Sequence, residues 1–200
     1  LIDDEKEEFV GYNKLEKEIK ITRYRKVKSN DGEQYQLVFN ITPFYPEGGG
    51  QVGDTGVIIN KNQSTAVVDT QKENNLIIHF TNTLPKNVND TFLAKVNTDD
   101  RIASARNHTA THLLHESLRK ILGEHVVQKG SLVCPDYLRF DFSHFSKITT
   151  KELQEIEKMV NSKILANITL NEQINLPLME AKSIGAIMLF GEKYEDLVRM

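Results

Sequence analysis

The chain has 200 residues, 39% hydrophobic and 26% charged, which suits one or two compact domains with a buried core and does not suit a disordered chain. No apolar run approaches the roughly 18 residues a membrane-spanning helix needs, and the acidic start "LIDDEKEEFV" is unlike a signal peptide, so a cytoplasmic protein with no membrane partner is expected. A net charge of −3 argues against a broadly basic nucleic-acid surface, and a single cysteine, Cys134, excludes an internal disulfide and a thiolate zinc cage built from this chain alone.

Opening at Leu1 rather than methionine suggests an excised fragment. Up to about residue 97 the apolar residues come in short β-rich runs, "YQLVFNI", "GVIIN", "TAVVDT", "NLIIHF" and "TFLAKV", separated by Asn, Gly, Asp and Pro. This pattern predicts a small antiparallel, barrel-like subdomain over residues 1–97. A long helix follows in "NTDDRIASARNHTATHLLHESLRKILGEH", with Thr98 or Asp99 as cap, Arg119 and Lys120 in the last turn and Gly123 beyond it. Strand-like alternation then runs from Leu138 to Phe142. A capping box from Thr149 to Glu152 starts a second helix, whose Leu153, Ile156, Val160 and Ile164 make one apolar stripe. Residues 98–200 therefore read as an α+β domain with long helices packed on an antiparallel sheet, and the whole chain as α+β.

Two segments carry candidate chemistry. "FYPEGGGQVGDTG", Phe44 to Gly56, places three glycines, Gly48 to Gly50, where a chain would need positive φ or close backbone approach. No Gly-Lys-Ser/Thr and no helix follow it, so neither phosphate-cradling motif fits; composition alone favours a plain hairpin loop that tolerates glycine, and the stretch by itself names no ligand. In "RNHTATHLLHE" the i, i+4 pair His108 and His112 can aim two imidazoles at one ion, while His115 lies too far along the helix to share it. A helix surface that happens to carry histidines is the competing reading. The zinc-protease HExxH is absent, because Thr109 follows the first histidine. "RYRKVK", Arg23 to Lys28, with Arg101, Arg106 and Arg199, is a candidate RNA-backbone surface or a solvated charged strand.

Together, "FYPEGGGQVGDTG", "RNHTATHLLHESLRKILGEHVVQKGSLVCPDYLRFDFSHF" and "GAIMLFGEKYEDLVRM" resemble the editing region of bacterial alanyl-tRNA synthetases and their free-standing editing relatives. The likeness spans nearly the whole chain, in order. It implies hydrolysis of mischarged Ser-tRNA(Ala) or Gly-tRNA(Ala), with ATP-dependent aminoacylation carried out by other domains of the full-length synthetase. It further implies zinc ligands at His108 and His112, catalytic pocket residues at Thr111 and Gln128, and substrate contacts from Gly48, Gly49, Gly50, Gln51 and Arg106 to the acceptor end of tRNA(Ala). The family completes its zinc site with a Cys-x-x-x-His that this resemblance places beyond residue 200, so the domain over 98–200 is expected to be incomplete at its C-terminus. A non-catalytic tRNA-binding module and a free-standing deacylase are the alternatives.

Overall fold

The computed structural model describes residues 7–29, 32–61, 63–186 and 196–200. Its contacts separate into two units: residues up to Thr109 with Ser131–Arg139, and Ala110–Gly130 with the described residues from Phe140 onward. Helix α1 spans Thr98–Leu122.

The first unit holds β1 (Glu8–Phe9), β2 (Glu16–Ser29), β3 (Gly32–Phe39), β4 (Ile41–Thr42), β5 (Gly56–Asn60), β6 (Gln63–Val67), β7 (Asp69–Glu73), β8 (Leu76–Thr81) and β9 (Thr91–Val96). Seven of them form one antiparallel sheet in the order β6-β5-β9-β2-β3-β8-β7, and β1 and β4 form a short parallel pair. The expected barrel is not closed: among the described residues the end strands β6 and β7 do not pair with each other. Val68 joins them head to tail and sends its N–H to the Phe80 carbonyl of β8, 2.8 Å away.

β2 organises this sheet. Its first half pairs with β9, from Glu16 opposite Lys95 to Lys20 opposite Thr91. After an irregularity between Ile21 and Arg23 its second half pairs with β3, and such a bulge bends a strand and increases its twist. Alternation along β2 turns Ile19 and Ile21 inward, where they join Leu37, Phe39, Phe44 and Ile58 in the core.

His79 lies fully buried in that core, stacked on Phe39 at 3.8 Å between ring centres. Its two nitrogens are both engaged: Nδ1–H donates to the Leu37 carbonyl at 3.1 Å, and Nε2 accepts from the Thr42 hydroxyl at 2.7 Å. Thr42 Oγ1 in turn accepts the Phe44 N–H. The network satisfies a neutral imidazole, and burial pushes its pKa down from 6.5 to about 3.

In the second unit the hydrophobic cluster is Leu118, Val126 and Ile156, with Leu114, Ile121, Leu122, Phe140, Phe142 and Val160 against it. It joins the later turns of α1 to α2 (Thr150–Leu165) and to residues of β11 (Leu138–Phe142), which pairs with β10 (Gln128–Val133). The capping box is present: Thr149 Oγ1 accepts the Glu152 N–H, and the Glu152 carboxylate accepts the Thr149 N–H. The Thr149 N–H first, and then the Thr149 hydroxyl, which also donates to that carboxylate, hold the Glu152 carboxyl below its ordinary pKa. The expected apolar stripe of α2 is only half covered, since Ile156 is buried while Leu153 and Ile164 are exposed. Beyond it come β12 (Leu176–Pro177), α3 (Leu178–Ser183) and β13 (Leu197–Val198), β12 pairing antiparallel with β13. The cap of α1 falls one residue earlier than expected: Asn97 Oδ1 accepts the Asp100 N–H, and the Asp100 carboxylate accepts from Asn97 Nδ2.

His79 makes the stability of the first unit sensitive to acid. Its folded pKa lies below its unfolded value, so its stabilising contribution is complete above 6.5 and is lost as pH falls toward about 3. Between roughly pH 7 and pH 4.5 this group alone should remove about 2.5 kcal/mol. Urea unfolding across that range should show a markedly shallower pH dependence in His79→Leu than in the native chain; parallel curves would refute the assignment.

Candidate functional site

Gly48 to Gln51 form a tight turn. The Gly48 N–H reaches the Gln51 carbonyl at 3.1 Å, and the Gln51 N–H returns to the Gly48 carbonyl at 3.0 Å. Both central residues have positive φ, +59° at Gly49 and +79° at Gly50, the signature of a type I′ hairpin turn. The glycines are thus required by backbone geometry. They are also required by space: a Cβ on Gly50 would overlap the Ser131 hydroxyl and lie 3.0 Å from the Ser131 carbonyl.

The turn is fixed from behind by backbone bonds. Val133 N–H donates to the Gly50 carbonyl at 2.7 Å, and Val52 N–H to the Val133 carbonyl at 3.0 Å. The 131–133 segment therefore runs as a short parallel partner beside the loop. Asn107, one residue before His108, donates to the carbonyls of Cys134 and Pro135 at 2.8 and 3.1 Å, which ties the same segment to α1. At the loop's base Asp54 accepts the Tyr45 N–H at 2.8 Å and pairs with Arg101.

The tip of the turn meets α1 at His108. A Cβ on Gly49 would sit 3.6 Å from His108 Cε1, so the glycine lets backbone lie against the imidazole. His108 Nδ1 donates to Gln51 Oε1 at 2.9 Å, with Gln51 itself buried. An oxygen acceptor at Nδ1 selects the tautomer whose lone pair is on Nε2, and a metal-ligating histidine is commonly oriented by an outer partner in this way.

His112 follows one turn later on α1. Partial desolvation holds its pKa below the ordinary imidazole value although the residue is exposed, which favours the neutral form a metal requires. Thr111 is buried, and Gln128 is the first residue of β10. Arg106 is exposed on α1. His115 is buried against Phe140, 5.1 Å between ring centres, and its Nε2 has no hydrogen-bond partner. Burial first, then the charge of Arg119, lowers its pKa. Among the described residues no group of three or more His, Cys, Asp or Glu side chains is placed to hold a metal ion.

Sequence reading singled out the glycines, Gln51 and His108 separately, and the structure brings them together. Ser131, Asn107 and Asp54 carried no signal of their own in the sequence. Of the proposed basic surface, Arg101 is consumed in the buried pair with Asp54, Arg25 bonds Gln36 and Glu73, Lys26 pairs with Glu33, and Arg199 pairs with Glu172. Residues 187–195 of "GAIMLFGEKYEDLVRM" lie outside the described residues.

An open antiparallel sheet thus carries a glycine turn whose buried Gln51 amide meets a helix-borne histidine. The profile of the family "tRNA synthetases class II (A)" matches residues 2–101, and the chain belongs to that family. It is 58% identical over 193 residues to the alanine-tRNA ligase of Bacteroides fragilis, covering 96% of this chain and 22% of that protein. The alanine-tRNA ligase of Christiangramia forsetii is 58% identical over 197 residues, and that of Flavobacterium psychrophilum 55% over 204, with 98% and 97% of this chain covered. The chain spans between a fifth and a quarter of the length of these relatives, 22 to 23%.

Gly48 and Gly50 separate the two explanations for glycine. Gly48 has ordinary φ and nothing nearer than 3.7 Å to an added Cβ, so Gly48→Ala should change unfolding free energy by less than about 0.5 kcal/mol. Gly50→Ala combines positive φ with overlap and should destabilise by at least about 2 kcal/mol. Equal effects in chemical denaturation would show that the turn is not held as described.

Proposed function

We propose that this chain is the core of an editing centre of an alanine-tRNA ligase, hydrolysing the ester that joins serine or glycine to tRNA(Ala) in the cytoplasm. The observation that carries the reading is the Gln51–His108 bond at the tip of the glycine turn, which holds one imidazole in a ligand-ready tautomer. The identity to alanine-tRNA ligases supports the substrate class.

The physical need is clear. A synthetic pocket shaped for alanine cannot sterically exclude the smaller glycine and rejects serine only weakly, so a second, hydrolytic site is required. His108 and His112 fit as two of the ligands of a zinc ion, the remainder being implied beyond residue 200. When bound, the ion supplies Lewis-acid activation for ester hydrolysis. Gln51 fixes the orientation of His108. The glycine turn carries backbone rather than side chains to the approach of the ester, so the acceptor end can come close. Thr111 and Gln128 provide polar groups that a serine hydroxyl satisfies and an alanine methyl leaves unpaired, a difference of about 1–3 kcal/mol per group. Arg106, exposed on α1, is the cation this reading assigns to tRNA backbone.

A purely tRNA-binding role is the weaker account, since Arg25, Lys26, Arg101 and Arg199 of the candidate basic surface are already paired with carboxylates.

The test is deacylation of Ser-tRNA(Ala) with zinc present, by this chain and by a form extended through the next Cys-x-x-x-His. The extended form should hydrolyse the ester, its His108→Ala variant should lose activity by at least about 100-fold, and Gln51→Leu should lose about 10- to 100-fold. Chelation of zinc should abolish turnover. No hydrolysis in either native form, or undiminished hydrolysis in His108→Ala, would defeat the proposal.

A further inference from the structure

Outside the glycine-turn region, three rings gather on the surface of the second unit. His125 Nε2 and His144 Nδ1 are 2.9 Å apart, and the two imidazoles are 5.1 Å between centres with planes only 19° apart. A nitrogen-to-nitrogen bond at that centre spacing puts the rings edge to edge in nearly one plane. Phe145 covers both: its ring is 4.3 Å from His125 and 5.0 Å from His144, at 29° and 28°.

This plate is braced. Ser146 Oγ lies 3.1 Å from His144 Nε2, so a chain of hydrogen bonds runs Ser146–His144–His125. Ser143 N–H donates to the Val127 carbonyl at 3.0 Å, and its Oγ accepts the Val127 N–H at 3.2 Å. The two segments carrying the imidazoles are thereby tied together. Phe145 nevertheless leaves 82% of its surface open. The result is a flat aromatic surface, backed by a second aromatic layer and open on its outer face.

We infer that the His125–His144–Phe145 stack is a docking platform for an unpaired nucleobase of RNA. Its chemistry discriminates among partners. An apolar peptide needs a contiguous apolar patch, whereas the residues flanking Phe145 are Ser143, His144, Ser146 and Lys147. A nucleobase needs one exposed π-face, with polar groups and a cation at its border for sugar and phosphate, and that is the composition found. Exposed Lys147, two residues on, supplies the cation. The two nitrogens in the imidazole pair point at each other along one bond, so the cluster is not arranged as a metal chelate. The inference rests on the proposed editing function, because it gives the single-stranded end of a tRNA a seat on the second unit; no group placed in the hydrolytic machinery takes part in it.

The experiment uses the full chain, without zinc, and an uncharged alanine acceptor-stem minihelix ending in unpaired ACCA. 2-Aminopurine replaces each unpaired base in turn, since its fluorescence is quenched by stacking. At one position the native chain should quench the probe. Phe145→Ala should abolish that quenching and weaken binding about 5- to 10-fold, and Phe145→Trp should restore both. With Phe145 82% exposed, the alanine variant should keep the native circular dichroism and unfolding midpoint. Quenching and affinity unchanged in Phe145→Ala, or a native chain that neither binds nor quenches at any position, would overturn the inference. Because the RNA carries no amino acid and no metal is present, these outcomes are independent of whether ester hydrolysis occurs.

Discussion

Arg101 and Asp54 form a nearly closed electrostatic unit within the β-rich part of the chain, their side chains only 12% and 6% exposed. Arg101 Nε donates to Asp54 Oδ1 at 2.8 Å and Nη2 to Oδ2; its remaining donors reach the Gly11 carbonyl at 2.7 Å and the Pro43 carbonyl at 3.0 Å. The guanidinium also lies over the Tyr45 ring. Asp54 is equally occupied, since Oδ2 takes the Tyr45 N–H and its carbonyl takes the Thr70 hydroxyl. One ion pair thus joins the N-terminal segment, the entry and exit of the glycine loop, β7 and the first turn of α1. A buried pair so extensively hydrogen-bonded adds geometric definition more than net stability, while loss of one partner leaves an uncompensated charge. The glycine turn keeps its position relative to His108 because both ends of that relation are anchored here.

The same pair shows how charge was redistributed between expectation and structure. In the sequence Arg101 looks like any other cation of a helix's first turn, and only three-dimensional placement reveals that it is internal. The basic strand tells a similar story from the outside: Arg25 and Lys26 face opposite sides of β2, and each finds an acidic partner across the sheet in Glu73 and Glu33. Affinity for a polyanion depends on cations that can release counterions. Cations already neutralised by neighbours contribute little to it, and attention shifts to contacts that read a base rather than a phosphate.

How much could be read in advance follows from the range of the interactions involved. β3, β5, β8 and β9 announce themselves as apolar runs, and α2 as a capping box, because those signals lie within a few residues. β2 and β7 are dominated by charged and polar residues, and their strand character comes from the neighbours they pair with. Barrel closure was a reasonable extrapolation from strand count, yet closure depends on where Val68 sends its N–H, which no local pattern encodes. The stripe on α2 marked the correct face, but periodicity does not say how far a covering surface extends. At the site, the glycines and the histidines were each legible. The bond that relates them spans 57 residues, and the His125–His144 pair spans 19; neither leaves a trace in local spacing.

The shared strand β2 has a consequence for the order in which the structure can form. Its C-terminal half meets β3 through a hairpin, with Ser29 opposite Gly32, whereas its N-terminal half waits for β9, with Glu16 opposite Lys95. Loop-closure entropy makes the first pairing available early and the second only after the intervening chain has been gathered in. The glycine turn lies inside that intervening stretch. On a ribosome releasing the chain from its N-terminus, the hairpin can exist before β9 has been synthesised, and the turn that orients His108 belongs to the portion of the sheet completed last.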